Sequence, residues 1–304
     1  MGARAARVLQ ARARDPGVRR VQPRPPRRGR RLPPRLSGLI RTVLVTGASS
    51  GIGAACAARL AGAGWRVLAG IRSGEAPAGT EAVQLDVTRE EDVHALQEIE
   101  PLDALVNNAG IAVAAPLEFL PPDELRAQLE VNVVGQLAVT QAVLPVLRAA
   151  RGRIVFIGSV SGRSALPFIG PYAASKHALE AVADSLRVEL APWGIGVTIV
   201  EPGTIRTPMW ARGGTRAQEL AEHAGEPAAE LYGERAAAFR RTAMERSANG
   251  APPEAVAAVV ERALTAKRPP PRVLVGRDAH IRAAIERFPD RLRDRAFRKL
   301  LLRE

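Results

Sequence analysis

The chain predicts an α/β fold, a doubly wound parallel sheet of about seven strands with helices on both faces. Three observations predict it. Short apolar, β-branched runs alternate with helical patterns from residue 41 onward. The first run, Thr42-Val43-Leu44-Val45-Thr46, is continuously apolar between its threonines, as a strand buried on both faces must be. The unusual residue clusters fall just after the runs, where such sheets gather their ligands.

A glycine-rich turn follows the first run and opens an Ala-rich helix from about Gly53 to Ala63, ended by Gly64. Val67-Leu68-Ala69 and Val83-Gln84-Leu85 read as strands two and three. Thr88 reads as an N-cap, with Glu91 completing a capping box for a helix through Ile99. Ala104-Leu105-Val106 is strand four, ending in Asn107-Asn108-Ala109-Gly110. A long helix fits Pro122 to Ala149 despite Gly135 and Pro145. Ile154-Val155-Phe156-Ile157 is strand five. A helix carrying Tyr172 and Lys176 runs to about Leu190, and Val197-Thr198-Ile199-Val200 is strand six. A helical lid insert spans about 208–265, with a hinge at Gly213 and Gly214. Arg272-Val273-Leu274-Val275 is strand seven.

The 304 residues are 46% hydrophobic and 25% charged, which suits one globular domain with appendages. The net charge of +13 is unevenly held: residues 1–40 contain twelve arginines and one acid, so the remainder carries only +2. The domain therefore shows no nucleic-acid surface. The Arg- and Pro-rich segment 1–40 reads as a disordered tail without catalytic role, ahead of a targeting sequence or a functionless extension. The domain proper then covers 41–276, with a helical extension at 277–304. Cys56 is the lone cysteine, set among small residues, and reads as core filling. It permits no internal disulfide, which fits a reducing, cytoplasmic setting. The four histidines show no metal-ligand spacing, so no metal is expected. No apolar run reaches ~18 residues, so no membrane-spanning helix is expected.

The chemistry gathers around Tyr172-Ala173-Ala174-Ser175-Lys176. On a helix Tyr172 and Lys176 lie one turn apart on one face. A phenol has an ordinary pKa of ~10, and an adjacent cation lowers it. A tyrosine so tuned exchanges a proton with an alcohol–carbonyl pair. Alone such a pair is usually an ordinary surface pair; the rest of the chain gives it context. Thr46-Gly47-Ala48-Ser49-Ser50-Gly51-Ile52-Gly53 lets backbone approach a pyrophosphate at a helix N-terminus.

This glycine spacing resembles the short-chain dehydrogenase/reductase family, and further motifs extend the resemblance. Asn107-Asn108-Ala109-Gly110 is similar to the family's motif after strand four, and Asn132 to its helix asparagine. Ser159, with Tyr172 and Lys176 thirteen and seventeen residues later, is similar to its catalytic set. Pro202-Gly203-Thr204-Ile205-Arg206-Thr207 is similar to its turn after strand six. The resemblance covers about 41–210 and, more loosely, up to 276.

It implies a Rossmann-type oxidoreductase in which Tyr172 is the acid/base and Lys176 tunes it and holds the nicotinamide ribose. Ser159 bonds the substrate oxygen, and Asn132 holds a water linking Lys176 to solvent, unless it merely mends a helix irregularity. It implies cofactor contacts at Gly47, Ser49, Ser50, Gly51, Ile52, Gly53, Asn108, Ala109, Gly110, Pro202, Gly203, Ile205 and Thr207. Asp86 would bond the adenine, with Val87 against its ring. Strand two ends without the acid that NAD-preferring relatives carry, and Arg72 follows, a fork suited to phosphate. NADP(H) is therefore the preferred cofactor, with NAD(H) the alternative.

Leu166, Phe168, Met209 and Trp210, beside Ser159 and Tyr172, give an apolar pocket with few polar handles and no demand for a charged substrate. The look is closest to the retinol/hydroxysteroid dehydrogenase branch and its bacterial relatives, hence a lipophilic alcohol, ketone or aldehyde. The alternatives are a 3-oxoacyl-thioester reductase, which would want a basic patch near the pocket, and a cofactor-binding regulatory protein without turnover. Glu222, Glu226 and Glu230 read as a solvated face. The amphipathic end, Phe288 to Leu302, would pack on its own domain, in preference to covering the pocket or touching a membrane. The helices 122–149 and 172–190 resemble those that pair in family homodimers and homotetramers.

Overall fold

The computed structural model describes residues 40–299. The predicted tail lies outside the described residues except for Ile40, and Leu300 and Leu301 of the amphipathic end lie outside them too.

Seven strands form one parallel sheet: β1 Thr42–Thr46, β2 Arg66–Ile71, β3 Glu81–Gln84, β4 Ala104–Asn107, β5 Arg153–Ile157, β6 Gly196–Pro202 and β7 Arg272–Val275. Their order is β3-β2-β1-β4-β5-β6-β7. The order reverses at β1, so the turns after β1 and β4 open a crevice at the strands' carboxyl ends. Register is fixed by side-chain alternation: Val43 and Val45 serve one face and Leu44 the other.

Each face is closed by a pair of helices. On the first, α1 (Gly51–Gly62) and a helix at Pro253–Thr265 bring Cys56, Leu60, Val256 and Val260 onto Val43, Val45 and Val106. On the second lie helices at Gln136–Ala150 and Gly170–Glu189, with Val139, Val143 and Leu179 on Leu44, Leu105 and Phe156. Full burial of one such aliphatic side chain contributes about 1.5–3 kcal/mol. The Cys56 thiol is buried in the first layer and its pKa is pushed up to about 12 by desolvation, which fits core filling.

In chain order the remaining helices are α2 (Glu90–Ala95), α3 (Pro122–Leu129), α4 (Gln136–Ala150), α5 (Gly170–Glu189), α6 (Met209–Ala248), α7 (Pro253–Thr265), α8 (Arg277–Ile285) and α9 (Asp290–Phe297). Among the described residues, one helical stretch, Pro122–Ala150, is long and apolar enough to cross a bilayer by length and composition, although no apolar run was expected to suffice. It is apolar on average but interrupted by buried Gln128, Asn132, Gln136 and Thr140.

Three local expectations are corrected. Thr88 does not cap α2: its hydroxyl donates to Asp86 Oδ1 (2.7 Å), and Asp92 Oδ2 accepts from the Asp86 N–H (2.8 Å). The predicted continuous helix from Pro122 carries a π stretch at Glu130–Gly135 between α3 and α4. Gly213 and Gly214 are not a hinge. They lie inside α6, where Gly213 sits against the Ala112 carbonyl. The helix breaks instead at Gly225, whose φ of 70° and ψ of −163° only glycine adopts readily, and Pro227 follows.

Candidate active site

A cleft of about 1070 Å³ lies over the carboxyl ends of the strands. Its floor begins at the turn after β1. Gly47, Ser49, Ser50, Gly51 and Ile52 line it. Gly53 does not: a Cβ there would stand 2.2 Å from the Gly47 carbonyl oxygen, so this glycine lets the turn close on itself. It shapes the cradle from behind, so the expected contact at Gly53 falls outside the cleft lining.

The turn after β4 is tied to that cradle. Thr46 Oγ1 accepts from the N–H groups of Asn108 and Ala109, both at 2.9 Å. Asn108 Nδ2 donates to the carbonyls of Thr46 (2.9 Å) and Gly47 (3.1 Å). Asn108, Ala109 and Gly110 then line the cleft with Asp86 and Val87. Burial would raise the Asp86 carboxyl, but the N–H and hydroxyl of Thr88 and the charges of Arg72 and Arg89 hold it below its ordinary value. Arg72 stands exposed on the cleft wall just beyond β2, with no carboxylate at ion-pair distance among the described residues.

Ser159 follows β5 and caps a short turn, Val160–Gly162, by accepting from the Ser161 N–H at 3.1 Å. Arg163 anchors that turn through a two-pronged pair with the fully buried Glu201, at 2.6 and 2.7 Å. Across from it, α5 presents Tyr172 and Lys176, both nearly inaccessible. Lys176 Nζ donates to the Ile157 carbonyl at 2.8 Å and lies 5.7 Å from the Tyr172 ring centroid.

Desolvation pushes the Tyr172 phenol above its ordinary value, while hydrogen bonding with Ser159 and the charge of Arg282 act the other way. The expectation of a phenol lowered by Lys176 is corrected in this geometry. Burial dominates, and the opposing cation is Arg282 on α8. Lys176 itself is pulled down to about 8 by burial, against the raising influence of Glu180.

Asn132, in the π stretch, is buried and outside the cleft lining. Its Oδ1 accepts from the Ile111 N–H (2.9 Å), and its Nδ2 donates to the Ile111 carbonyl (3.1 Å) and Ser175 Oγ (3.0 Å). It thus clips the segment after β4 to the helix carrying Tyr172.

Pro202, Gly203, Ile205 and Thr207 reach the cleft from the segment after β6. Leu166, Met209 and Trp210 wall its far end, and Trp210 meets Tyr172 edge-on at 5.9 Å. Phe168 is corrected to a second, almost wholly apolar cavity of about 440 Å³ under α6. It sits at a left-handed φ of 64°, with its carbonyl accepting from the Ala115 N–H, and packs on Phe239 at 5.5 Å. Trp210 and Phe239 border both cavities.

Sequence reasoning missed the arginines. Arg212 donates to Ser50 Oγ (2.8 Å), and Arg216 pairs with Glu124 and Glu219, so α6 is fastened over the cleft at two points. Arg246, Arg277 and Arg282 line the cleft as well, more polar handles than the few expected. Phe297 of α9 also lines it, so the carboxyl-terminal segment covers the pocket as well as packing on the domain. Phe288 and Leu292, expected on the same apolar side, stand more than half exposed. Glu222, Glu226 and Glu230 are exposed, as a solvated face requires.

Residues 41–218 match the family model described as short chain dehydrogenase. The chain is 34% identical over 282 residues to an NADPH-dependent 3-dehydrocapnine reductase of Ornithobacterium rhinotracheale, covering 86% of this chain and 97% of that one. It is 36% identical over 273 residues to retinol dehydrogenase 5 of Mus musculus, covering 79% and 81%. A short chain dehydrogenase from Burkholderia cenocepacia, solved in complex with NADP, superposes with a TM-score of 0.65 at 27% identity, covering 86% of this chain and 98% of that one.

Proposed function

The chain belongs to the short-chain dehydrogenase family and is an oxidoreductase; on that premise we propose that it uses NADP(H) to interconvert an alcohol and a carbonyl on a lipophilic substrate. The observation that carries the reading is the meeting of Ser159, Tyr172 and Lys176 with the glycine cradle and Arg72 around one cleft.

The residues present fit a dinucleotide phosphate. The turn Gly47–Ile52 is packed closely on its neighbours, a Cβ at Gly47 standing 3.0 Å from Ala109, and Arg72 offers a planar fork for a 2′-phosphate, unpaired among the described residues. When bound there, NADPH supplies the hydride. Asp86 and Val87 would hold the adenine end, and Lys176 the nicotinamide ribose. In the reductive direction Ser159 Oγ donates to the substrate carbonyl oxygen, stabilising charge as it develops. Tyr172 then delivers its phenolic proton to that oxygen. Desolvation keeps this proton in place through the neutral range. Asn132 acts at one remove, holding α5 against the segment after β4. The second, largely apolar cavity of about 440 Å³, bordered with the cleft by Trp210 and Phe239, suits a lipophilic substrate.

The thioester reading draws support from Arg246, exposed at the cleft and without an ion-pair partner among the described residues. Self-association into a homodimer or homotetramer draws support from Val134 and Val188, 49% and 70% exposed on the two long helices. The function is tested by following NADPH and NADH oxidation by the full chain with long-chain ketones, retinal, keto-steroids and a 3-oxoacyl thioester. Turnover of a lipophilic carbonyl with NADPH favoured is expected; no turnover on any of them, or NADH favoured, overturns the reading.

A further inference from the structure

We propose that Arg282, assisted by Arg246, binds an acidic oxyanion carried by the substrate close to its reacting carbonyl, so that the substrate is an anionic amphiphile and not a neutral lipid. The inference rests on reading the cleft as an alcohol–carbonyl site.

Arg282 projects from α8 into the cleft lining and is partly buried. A guanidinium has five N–H donors. Here Nη2 donates to the Ser164 carbonyl (2.7 Å) and approaches Ser161 Oγ (3.3 Å). Nε is buried without an acceptor, and Nη1 donates to no atom among the described residues. The neighbouring Ser164 Oγ is likewise buried and unpartnered.

Four other arginines around this part of the fold are neutralised or hydrogen-bonded, while Arg277 lines the cleft exposed and without an ion-pair partner among the described residues. Arg163 has Glu201, Arg216 has Glu124 and Glu219, Arg272 has Glu180 and Asp184, and Arg212 has Ser50. Arg282 has no carboxylate at ion-pair distance among the described residues. Asp278, which also lines the cleft, and Glu286 support its charge from beyond ion-pair distance; Asp278 Oδ2 accepts from the Thr204 N–H (2.6 Å), and Glu286 is paired with Arg293 (3.0 Å). Arg246, without an ion-pair partner among the described residues, adds a further cation close enough to weaken the Arg282 charge. Burial pulls Arg282 down to about 10, so it stays charged at neutral pH.

A partly desolvated cation with free donors is unfavourable until an anion meets it. An oxyanion in the cleft would accept from Nη1, the unpartnered donor that is not buried, in a charge-assisted bond. Its location places that group. Arg282 touches the turn in which Ser161 donates to Ser159, the residue facing the reacting oxygen, so the anion lies near that oxygen. The apolar remainder of the substrate is then directed past Trp210 and Phe239 into the second cavity.

The test uses the full chain saturated with NADPH and titrated calorimetrically with decane-1-sulfonate and with decan-1-ol, below micelle formation. Neither probe is turned over by the NADPH complex. The wild type binds the sulfonate at least tenfold more tightly, about 1.4 kcal/mol. Arg282→Gln abolishes that preference while leaving decan-1-ol and NADPH affinity within about twofold. Arg282→Lys keeps part of it, and Arg246→Gln loses about threefold. Equal affinities in the wild type, or a preference that survives in Arg282→Gln, overturns the proposal. Should Arg282→Gln not fold, unchanged preference in both Arg282→Lys and Arg246→Gln overturns it. Since binding is read without turnover, failure of the carbonyl panel and failure of this subsite are separate results.

Discussion

On the glycine-turn side the cleft is lined by small residues, Gly47, Ser49, Ser50 and Gly51 with Asn108, Ala109 and Gly110. On the α6 and α8 side it is lined by the large residues Trp210, Phe239, Arg246 and Arg282. The first wall is held by contacts between turns of adjacent strands, such as Asn108 on Gly47. The second is assembled from elements about 40–110 residues beyond Tyr172, fastened by a few long-range contacts such as Arg212 on Ser50 and Arg282 on Ser164. The glycines of the first wall are constrained: Gly47 and Gly51 have positive φ, and an added Cβ would stand 3.0 Å from Ala109 and 3.3 Å from Thr207. The large side chains of the second wall can be exchanged one residue at a time. On the proposed reading the cofactor half would fix the reaction class and the substrate half which alcohol or carbonyl is taken.

Substitutions in the two halves should differ accordingly. Gly53→Ala drives a Cβ against the Gly47 carbonyl, where overpacking costs about 1–3 kcal/mol. NADPH affinity should fall about 5- to 150-fold, read by equilibrium titration; unchanged affinity would mean the cradle is not rigid. Arg72→Glu should weaken NADPH by about 10- to 100-fold and leave NADH nearly unaltered, since a hydrogen bond to a charged group contributes about 1.5–3 kcal/mol. An unchanged cofactor preference would remove Arg72 as the phosphate reader.

In the other half, Phe239→Ala removes apolar surface bordering both cavities. Losing about 1–2 kcal/mol of burial should raise KM for a long-chain carbonyl about 5- to 30-fold with kcat little changed. A collapse of kcat instead would place Phe239 in the chemistry. The smallest effect is a pH limb. Lys176 carries its charge below about 8 and loses it above. If that charge is needed to hold the ribose, kcat/KM for reduction should be level through neutrality and fall about tenfold per pH unit above about 8. Lys176→Arg, charged throughout, should lack that limb; a wild-type profile level to higher pH would contradict the role.

The same contrast explains what could be read from the chain. Strands such as Thr42–Thr46 are legible because burial on both faces demands unbroken apolar residues. Tyr172 and Lys176 are legible because helical spacing alone puts them together. Arg282 has no such local signature; only the route of the chain through α6 and β7 brings it to Ser161. Thr88 misled because its hydroxyl donates to Asp86 Oδ1 instead of accepting from the N–H groups at the helix end. The break in α6 was placed at Gly213 and not Gly225 because spacing cannot distinguish a glycine needed for close approach from one needed for positive φ.

The central claim is that the two halves meet at Tyr172, which moves the proton as the cofactor moves the hydride. Tyr172→Phe removes only the phenolic oxygen, and Trp210 and Lys176 keep a ring to pack against. The decisive measurement compares kcat/KM for carbonyl reduction with NADPH affinity in this variant. The account predicts a loss of about 10²–10⁴ in kcat/KM with NADPH binding within about twofold of wild type. Turnover retained at near wild-type rate, with cofactor bound, would contradict it.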